Sequence, residues 1–447
     1  MKEIILPDYI LGITERFKNA GSAAFIVGGA VRDLLEGITP HDFDICTPSL
    51  PEETEQILSG MKIVKTGIKH GTVTAVTDGH EVEITTFRSD GAYSDGRHPD
   101  EVVFVKSLED DLARRDFTVN AMAYSPDEGL IDCFGGQRDL EDGILRCVGN
   151  PEKRFTEDGL RIMRALRFMS VKGYQPDQAT NEAIRKCRGV LGKVAYERID
   201  TELLKFLAGE NAASLLDSYR MIFADIIPEL KPMFGFDQHS PYHNRDVWHH
   251  TLASLNAIRP EPVLRLTMLL HDIAKPSVFV MDETGRGHFK GHQAAGAEMA
   301  ETILRRMRFS NEIVNTVTEL IRDHDMKLQP LKPVIRKALV QLGPERLDML
   351  LEVQEADSAG KREKYRTATS QRVNSVREMM REIIADGDCI SLRDLAVNGD
   401  DLRNAGITDG KTIGTALSYL LDEVINDRLP NEKQALLDAA AKEYGGR

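Results

Sequence analysis

Two patterns of hydrophobic and polar positions divide the chain. Over about the first 145 residues, short apolar or alternating stretches bounded by Gly, Pro and Asp predict β-strands. These strands are expected at residues 24–27, 42–46, 73–77, 81–87 and 102–105. Beyond residue 146, apolar residues recur every three or four positions, which is typical of amphipathic helices. Helices are expected at residues 157–170, 180–190, 197–208, 212–223, 247–258, 262–274, 292–307, 311–324, 333–342, 345–357, 370–385, 412–426 and 431–443.

This change of pattern predicts an α+β protein with a small mixed head and a long all-α body. With 447 residues, the chain is long enough for three or four compact units rather than one. Segments rich in Gly, Pro and Asp interrupt the pattern at residues 143–151, 228–242 and 385–388. We therefore expect a head, a neck, a body and a tail over residues 1–145, 146–232, 233–365 and 366–447.

Composition narrows the class of protein. Apolar residues make up 41% of the chain and charged residues 29%, and no apolar run approaches the ~18 residues of a membrane span. The N-terminal segment MKEIILPDYI has no signal-peptide pattern. The 5 cysteines are scattered without a Cys-x-x-Cys pair, which favours reduced thiols and argues against a disulfide or zinc framework. A soluble, cytoplasmic protein with no membrane partner is expected.

The net charge of −14 argues by itself against a nucleic-acid partner. Basic residues nevertheless cluster, and the distribution of charge matters more than its sum. The clusters are Arg114 with Arg115; Arg161, Arg164 and Arg167; Arg305, Arg306 and Arg308; and the basic residues of 361–366. Solvated helix faces would explain the third cluster equally well, so the charge pattern leaves a nucleic-acid partner open.

The stretch from residue 24 to residue 47 carries the first candidate chemistry. Gly28 and Gly29 follow a buried strand and precede a helix, where backbone N–H groups can approach a phosphate closely. Strand alternation places Asp42 and Asp44 on one face, about 7 Å apart. Paired carboxylates suit divalent cations that bind substrate phosphates. From these residues alone, a solvated strand edge remains an equal alternative.

The residues that follow extend this candidate site. Glu81 and Glu83 alternate onto one face of the next predicted strand, and we choose Glu83 as the third carboxylate. Residues 88–99 are rich in Gly, Ser and Asp and predict either a mobile flap or an ordinary hairpin connection. In the sequence ARRDFTVNAMA, Arg114 or Arg115 would neutralise triphosphate oxygens, and Asp116 would accept a hydrogen bond from a ribose hydroxyl.

Taken in order, these segments resemble the motifs of class II tRNA nucleotidyltransferases, the CCA-adding enzymes and their poly(A) polymerase relatives within the polymerase-β-like superfamily. GGAVRD with HDFDICT is similar to the catalytic motif, and RRDFTVNA is similar to the ribose-recognition motif. Asp132, Gly136 and Arg146 have the Asp-x3-Gly-x9-Arg spacing of the hinge motif. EDGLR at 157–161 resembles the nucleotide-selecting motif, and YERIDTELLKFL from Tyr196 resembles a supporting fifth motif.

The resemblance implies a polymerase-β-like nucleotidyltransferase head, an all-α neck, and attack of an RNA 3′-hydroxyl on the α-phosphate of CTP or ATP. Asp42 and Asp44 would bind Mg²⁺, with Glu83 assisting. The protein itself would select C and A, because Asp158 would accept from the exocyclic amine while Arg161 donates to ring acceptors. The other residues expected to bind the nucleotide are Gly28, Gly29, Arg32, Arg114, Arg115, Asp116, Asn120, Glu157 and Arg164.

The nucleotide-selecting segment also has a simpler interpretation. Glu157 and Arg161 would lie in the first turns of a helix capped by Thr156, where an i,i+4 ion pair contributes ~0.5 kcal/mol. Gly159 costs about 1 kcal/mol relative to Ala inside a helix, which fits close approach of a base.

A second set of candidate ligands lies between residues 247 and 357. It comprises His250, His271, Asp272, Asp357, His292 and His324. The first four resemble the metal ligands of the HD phosphohydrolase superfamily, and the last two fit the additional ligands of its two-metal type. Imidazole with carboxylate suits Ni²⁺, Mn²⁺ or Fe²⁺ better than a structural zinc. The resemblance implies an HD body that hydrolyses phosphomonoesters or cyclic phosphates, or one that serves only as a scaffold.

The tail from Ala396 resembles the C-terminal RNA-contacting module of bacterial members of the family. Gly399, residues 406–414 and Lys411 are candidate phosphate contacts, and an ordinary helix–turn–helix connection is the alternative.

Several related functions share these motifs. A poly(A) polymerase would share the head, although such relatives commonly carry a strongly basic extension. An A-adding or CC-adding enzyme would share more, and Asp95 and Arg97 in the predicted flap favour full CCA addition. An HD phosphohydrolase with an inactive head, or a noncatalytic RNA-binding scaffold, fits the intact carboxylate pair less well. The sequence therefore predicts a CCA-adding enzyme with tRNA, CTP and ATP as partners, and it leaves the oligomeric state open.

Overall fold

The computed structural model describes residues 4–65, 67–91, 102–240 and 245–445. They belong to two compact units, Met1–Pro228 and Glu229–Arg447. Residues 92–99 of the predicted flap, which include Asp95 and Arg97, lie outside the described residues.

The first unit begins with a mixed β-sheet. The strands of this region are β1 (Phe25–Val27), β2 (Asp44–Thr47), β3 (Lys62–Val64), β4 (Thr72–Thr77), β5 (His80–Thr86), β6 (Arg88–Asp90), β7 (Val102–Phe104), β8 (Met122–Ser125) and β9 (Gly129–Asp132). Seven of them form one sheet in the order β3-β4-β5-β2-β1-β8-β9. β2 runs parallel to β5, whereas the other neighbouring strands are antiparallel. β6 and β7 form a separate two-stranded ribbon.

Hydrophobic side chains cover both faces of this sheet. The helices of the head are α1 (Asp8–Asn19), α2 (Gly29–Glu36), α3 (Pro51–Ile57), α4 (Leu108–Ala113) and α5 (Gly136–Glu141). One face forms a core with α1 from Ile10, Ile13, Phe17, Ile26, Ile45 and Ile84. The other face contributes to a core of Phe25, Val27, Cys46, Phe87, Leu112 and Ala123. Because β1 is covered on both sides, all of its residues are buried and apolar.

The sequence pattern missed several elements of the head, among them helix α1 and the strands β3, β8 and β9. Helix α1 buries Ile10, Ile13, Thr14 and Phe17 at helical spacing, so its signal was present in the sequence. β3, β8 and β9 have three or four residues each, too few to establish a period. The strand predicted at 42–46 begins only at Asp44, so Asp42 lies in the preceding loop.

The neck is helical, as predicted. Its helices are α6 (Pro151–Glu157), α7 (Leu160–Lys172), α8 (Gln178–Lys186), α9 (Tyr196–Leu207), α10 (Ala212–Ser218) and α11 (Arg220–Ile226). Two short parallel strands, β10 (Ile144–Leu145) and β11 (Gln175–Pro176), pair the end of the head with the segment between α7 and α8. Helix α7 packs along α9, and both bury a hydrophobic face.

The second unit is almost entirely helical. Its helices are α12 (Val247–Ala257), α13 (Pro262–Leu270), α14 (His292–Arg306), α15 (Asn311–Asp323), α16 (Lys332–Ala359), α17 (Glu363–Ala385), α18 (Gly399–Asn404), α19 (Gly410–Ile425) and α20 (Lys433–Tyr444). A short hairpin pairs β12 (Val280–Met281) with β13 (Gly287–His288). Helix α16 is kinked at Gly343, where φ is +75°, and Pro344 follows, so the sequence pattern predicted two helices here. No helix in the described ranges is long and apolar enough to cross a bilayer.

Candidate nucleotide and metal sites

The loop after β1 brings together residues that the sequence placed far apart. Gly28 has a φ of +71°, which favours glycine, and Gly29 begins α2. A Cβ on Gly28 would lie 3.1 Å from Nη1 of Arg115, so the glycine also lets this arginine approach the loop. One turn into α2, buried Arg32 donates from Nη1 to Oδ1 of Asn120 over 2.7 Å. Five predicted nucleotide-binding residues therefore surround one loop.

The candidate catalytic carboxylates lie beside this loop. Asp44 on β2 is the register partner of Glu83 on the parallel strand β5. Asp42 and Asp44 are exposed while Phe43 between them is buried, as the predicted alternation requires. Desolvation raises the pKa of Asp44, the Glu83 carboxylate raises it further, and Arg115 opposes both effects. A divalent cation would relieve this repulsion between the carboxylates, and carboxylate oxygens are ligands that Mg²⁺ prefers.

A buried carboxylate holds the two adjacent arginines of the head. Arg114 donates from Nε and Nη2 to Oδ1 of Asp111 over 3.0 and 2.8 Å. Arg115 donates from Nη2 to Oδ2 of the same residue over 3.4 Å. Asp111 was not predicted from the sequence, although its position on α4, three and four residues before the two arginines, is the signal for such pairs.

Asp116 and Arg164 form an ion pair that crosses from the head to the neck. Nη2 of Arg164 lies 2.6 Å from Oδ2 of Asp116, and the Asn120 side chain donates to Oδ1 of Asp116 over 3.2 Å. Burial alone would raise the pKa of Asp116, but Arg164 and Arg161 lower it to about 2. The carboxylate is therefore a fixed anion, and any ribose hydroxyl would share it with these partners.

The nucleotide-selecting segment is not one continuous helix, which corrects the prediction. Helix α6 is capped by Asn150 and ends at Glu157, Asp158 is extended with φ −139° and ψ 105°, and α7 starts at Leu160. Thr156 does not cap a helix; its hydroxyl donates to backbone carbonyls within α6. The residues predicted to select the nucleotide therefore lie at a junction between two helices instead of on one regular helix face.

Arg161 connects this junction with the arginine pair of the head. Its Nη1 donates to Oε2 of Glu157 over 2.8 Å and to the carbonyl of Arg154 over 3.1 Å. Its Nη2 donates to the carbonyl of Arg114 over 3.0 Å. The i,i+4 pair exists, but it is about nine-tenths buried rather than on the surface.

Asp158 is held by a residue of the segment that resembles the fifth motif, which was expected only to support the structure. Arg198 on α9 donates to both of its oxygens, over 3.1 and 2.8 Å, in a bidentate pair. The adjacent Gly159 is crowded by protein: a Cβ there would lie 2.9 Å from Cγ2 of Val194 and 3.0 Å from Cγ2 of Val190. In this structure, packing therefore explains the glycine, without any approach of a base.

The predicted hinge residues anchor α5 at the end of the head. Asp132 accepts from the backbone N–H groups of Gly136 and Gln137, over 2.8 and 2.9 Å. A Cβ on Gly136 would lie 2.2 Å from the carbonyl oxygen of Thr118, so only glycine fits. Arg146 pairs with Asp139 over 3.0 Å and with Asp177 of the neck over 2.9 Å. Asp139 and Asp177 were not singled out in the sequence.

The second unit gathers the other candidate ligands. His250, His271, Asp272 and Asp357 offer ligand atoms that all lie within 4.8 Å of one another, and all four residues are buried. They come from α12, the end of α13 and the last turns of α16. A Cβ on Gly360 would lie 2.0 Å from Nδ1 of His250, so this glycine makes room for the imidazole. Its role was not apparent from the sequence.

The two additional histidines extend this cluster. Asp272, His292 and His324 form a second group of ligand atoms, with Nε2 of His292 lying 3.3 Å from Nε2 of His324. Asp272 belongs to both groups and also contacts Lys275 at 2.7 Å. Burial lowers the pKa of His324 to about 4, and neighbouring His271 adds to this shift. Imidazole and carboxylate ligands in two overlapping groups fit one or two transition-metal ions.

Three family models match the chain. Residues 24–146 match the Poly A polymerase head domain, and residues 173–234 match the probable RNA and SrmB-binding site of polymerase A. Residues 292–440 match the putative tRNA nucleotidyltransferase domain 2. The CCA-adding enzyme of Ligilactobacillus salivarius is 33% identical over 447 residues, covering 97% of this chain and 95% of that relative. The chain belongs to the CCA-adding enzyme family.

Other CCA-adding enzymes support this assignment. The relative from Lactiplantibacillus plantarum is 34% identical over 429 residues, covering 96% of this chain and 94% of its own. The crystal structure of the Bacillus stearothermophilus CCA-adding enzyme in complex with CTP has a TM-score of 0.71 and 29% identity, with 98% of both chains covered. The Thermotoga maritima CCA-adding enzyme complexed with tRNA has a TM-score of 0.57 at 20% identity, so it supports the fold alone. The predicted α+β class with a polymerase head and helical continuation is confirmed.

Proposed function

We propose that this chain adds C, C and A to the 3′ end of tRNA, taking CMP and AMP from CTP and ATP without a nucleic-acid template. The observation that carries the proposal is that Arg115 and the Asp44–Glu83 pair both lie beside the Gly28 loop. A candidate phosphate loop, a positively charged guanidinium group and the proposed catalytic carboxylates are thereby close together. Its full-length likeness to CCA-adding enzymes points to the substrates.

The carboxylates of the head would hold the metal. Asp42 and Asp44 are exposed and interact electrostatically, with Glu83 in register beside Asp44, and these carboxylate oxygens suit Mg²⁺. Mg²⁺ bound there would neutralise charge on the triphosphate and on the attacking and leaving oxygens. The protein would position the triphosphate against the N-terminus of α2 and the guanidinium groups of Arg114 and Arg115.

Base selection would belong to the junction between α6 and α7. Asp158, fixed by Arg198, would accept from the exocyclic amine of C or A through its remaining lone pairs. Arg161, fixed by Glu157, would donate to ring acceptors. Since both side chains are held by protein partners, they would form a template with little conformational entropy left to lose.

The organisation of the chain follows from this assignment. We propose a catalytic head over residues 1–145, a neck over 146–232, an HD domain over 233–365 and an RNA-binding tail over 366–447. We also place the protein in the cytoplasm, and the support is its set of free cysteines, of which Cys46, Cys147, Cys187 and Cys389 are buried.

A primer-extension assay tests the main proposal. The full chain is incubated with Mg²⁺, CTP, ATP and a tRNA transcript that ends at the discriminator base, and the products are resolved by length. We expect CCA addition by the wild type and background extension by Asp42→Ala with Asp44→Ala. Asp127→Ala, at an exposed turn residue of the same unit, is the control and should retain activity. Extension that survives the double substitution would refute the assignment.

The histidine–aspartate cluster supports a second function. We propose that the second unit is an HD phosphohydrolase that uses Ni²⁺, Mn²⁺ or Fe²⁺ on phosphomonoesters or cyclic phosphates. The supporting observation is the closeness of the ligand atoms of His250, His271, Asp272 and Asp357. A bound metal would supply a hydroxide nucleophile near neutral pH. Lys275 and Lys361, which contact Asp272 and Asp357, lie in the same pocket and would bind the phosphate.

Phosphate release from a phosphomonoester and opening of a 2′,3′-cyclic nucleotide, each with added Ni²⁺ or Mn²⁺, test this activity. His271→Ala with Asp272→Ala should abolish both reactions. His249→Ala is the matched control, because this exposed neighbour of His250 bonds to Asp246 instead of the cluster. Hydrolysis that persists after loss of His271 and Asp272 would show that it arises elsewhere.

A further inference from the structure

The buried carboxylate of Asp111 lies between three parts of the head. Its side chain has no exposed surface, and it bonds both Arg114 and Arg115. Its Oδ1 also accepts from the backbone N–H of Arg88 over 3.3 Å, which ties α4 to the first residue of β6. A carboxylate removed from water in this way is stabilised only by such partners.

The two arginines that Asp111 holds lie at different edges of the candidate nucleotide site. Arg115 reaches the Gly28 loop, as the 3.1 Å separation of its Nη1 from a Cβ on Gly28 indicates. The carbonyl of Arg114 accepts from Arg161 of the nucleotide-selecting junction. Both guanidinium groups are more than four-fifths buried, so their orientation depends on their protein partners.

We propose that Asp111 is a positioning residue for the triphosphate: its one carboxylate fixes the guanidinium groups of Arg114 and Arg115 in the orientation in which they meet the phosphates of CTP and ATP. Two adjacent guanidinium groups repel each other, and the shared carboxylate offsets this repulsion before the substrate binds. Asp111 bonds the guanidinium groups of Arg114 and Arg115, whereas Arg161 bonds only the backbone carbonyl of Arg114, so the effect should fall on the phosphates and be the same for C and A.

This inference rests on the proposed nucleotide site, and Asp111→Asn tests it. Asn keeps the volume of Asp but removes the charge and points an N–H group at one guanidinium. The assay is extension of a tRNA transcript by the full chain, with the KM for CTP and ATP and the inhibition constant of CMP. We expect the KM of both triphosphates to rise by about tenfold, the loss of one charge-assisted contact. The kcat should change less, and CMP, which lacks the β- and γ-phosphates, should inhibit as before.

Asp110→Asn is the matched control, because this exposed neighbour on α4 makes the same change of charge outside the arginine pair. A folded Asp111→Asn variant with an unchanged KM for CTP, or with an equal loss of CMP inhibition, would overturn the proposal. If that variant does not fold, Arg114→Lys takes its place. Lys keeps the charge but cannot make both bonds to Oδ1, so an unchanged KM for CTP in this variant would also overturn it. A wild-type chain that fails to extend any transcript would instead refute the proposed function.

Discussion

At the scale of single residues, three of the residues proposed to bind the nucleotide are fixed by protein partners. Asp158 is held by Arg198, Arg161 by Glu157, and Arg32 by Asn120. Such pairs stabilise one orientation of a charged side chain, which lowers the entropy lost when a nucleotide binds. The partners are therefore expected to matter for specificity although they touch no base.

Arg198→Ala tests this for base selection. Without its bidentate partner, Asp158 becomes mobile, so kcat/KM for CTP should fall about tenfold and the preference for CTP over UTP should narrow. UTP is the informative competitor because it lacks the exocyclic amine. Arg198→Lys should recover part of the preference, and Arg220→Ala, at a half-exposed arginine of the same unit, should leave it intact. An unchanged CTP-to-UTP ratio in Arg198→Ala would contradict the role assigned to Asp158.

The Asp116–Arg164 pair predicts a pH dependence of stability. The pKa of Asp116 is lowered to about 2, below its ordinary value of 3.8. Because the pKa of Asp116 is lower in the folded protein than in the unfolded chain, the ionised carboxylate stabilises the folded state at pH values above the unfolded-state pKa. This stability is lost as the pH falls through the folded-state pKa. Between pH 5 and pH 2, the wild type should lose about 2 kcal/mol more free energy of unfolding than Asp116→Asn. Denaturant titrations of both proteins measure this, and parallel pH profiles would be the contrary result.

At the scale of elements, the site depends on where strands and helices begin and end. The parallel pairing of β2 with β5 places Asp44 beside Glu83, and the break between α6 and α7 places Asp158 at a junction. Gly159 lets this junction pack against the segment of Val190 and Val194. The residues proposed to select the base thus lie at a break between two helices.

Gly159→Ala tests the break. The new Cβ would lie within 3.1 Å of Val190 and Val194 atoms, so the junction must shift. Overpacking of this kind costs about 1–3 kcal/mol, and we expect a lower free energy of unfolding together with reduced kcat/KM for CTP and ATP. Gly189→Ala is the control, since a Cβ there meets nothing within 4 Å. If both variants match the wild type, the close packing at Gly159 has no functional consequence.

The sequence showed the candidate site residues more clearly than the residues that support them. The order of motifs, the alternation around Asp44 and the helical spacing of the second unit were all visible along the chain. The roles of Asp111, Asp139, Arg198 and Gly360 were not, because each depends on a partner brought close by tertiary packing. The helix break at Asp158 was missed because EDGLR shares a helical period with its surroundings, and only packing at Gly159 shows the interruption.

At the scale of the whole molecule, two candidate metal centres lie in separate compact units. The carboxylates of the head belong to the first unit and the histidine–aspartate cluster to the second. Their donor sets differ, because one is made only of oxygens and the other includes imidazoles, so they should prefer different metals. The two activities are therefore expected to respond independently to substitution and to metal.

Reciprocal variants test this independence. His271→Ala with Asp272→Ala should keep nucleotide addition in Mg²⁺ within about twofold, since ligand removal in one unit leaves the oxygen site of the other unchanged. Asp42→Ala with Asp44→Ala should keep phosphohydrolase activity in Ni²⁺ or Mn²⁺. Both activities are measured on the same preparations. Loss of both activities from either folded variant would contradict the assignment of two separate centres.

One protein site is proposed to select C and then A without a template. The most direct test of this proposal uses three tRNA transcripts, ending at the discriminator base, after C and after CC, each given CTP, ATP or both with Mg²⁺. CTP alone should complete CC on the first two transcripts and add nothing to the third, ATP alone should extend only the third, and both together should produce CCA on all three. Extension that stops at CC, addition of A alone, or long A tails would contradict the account.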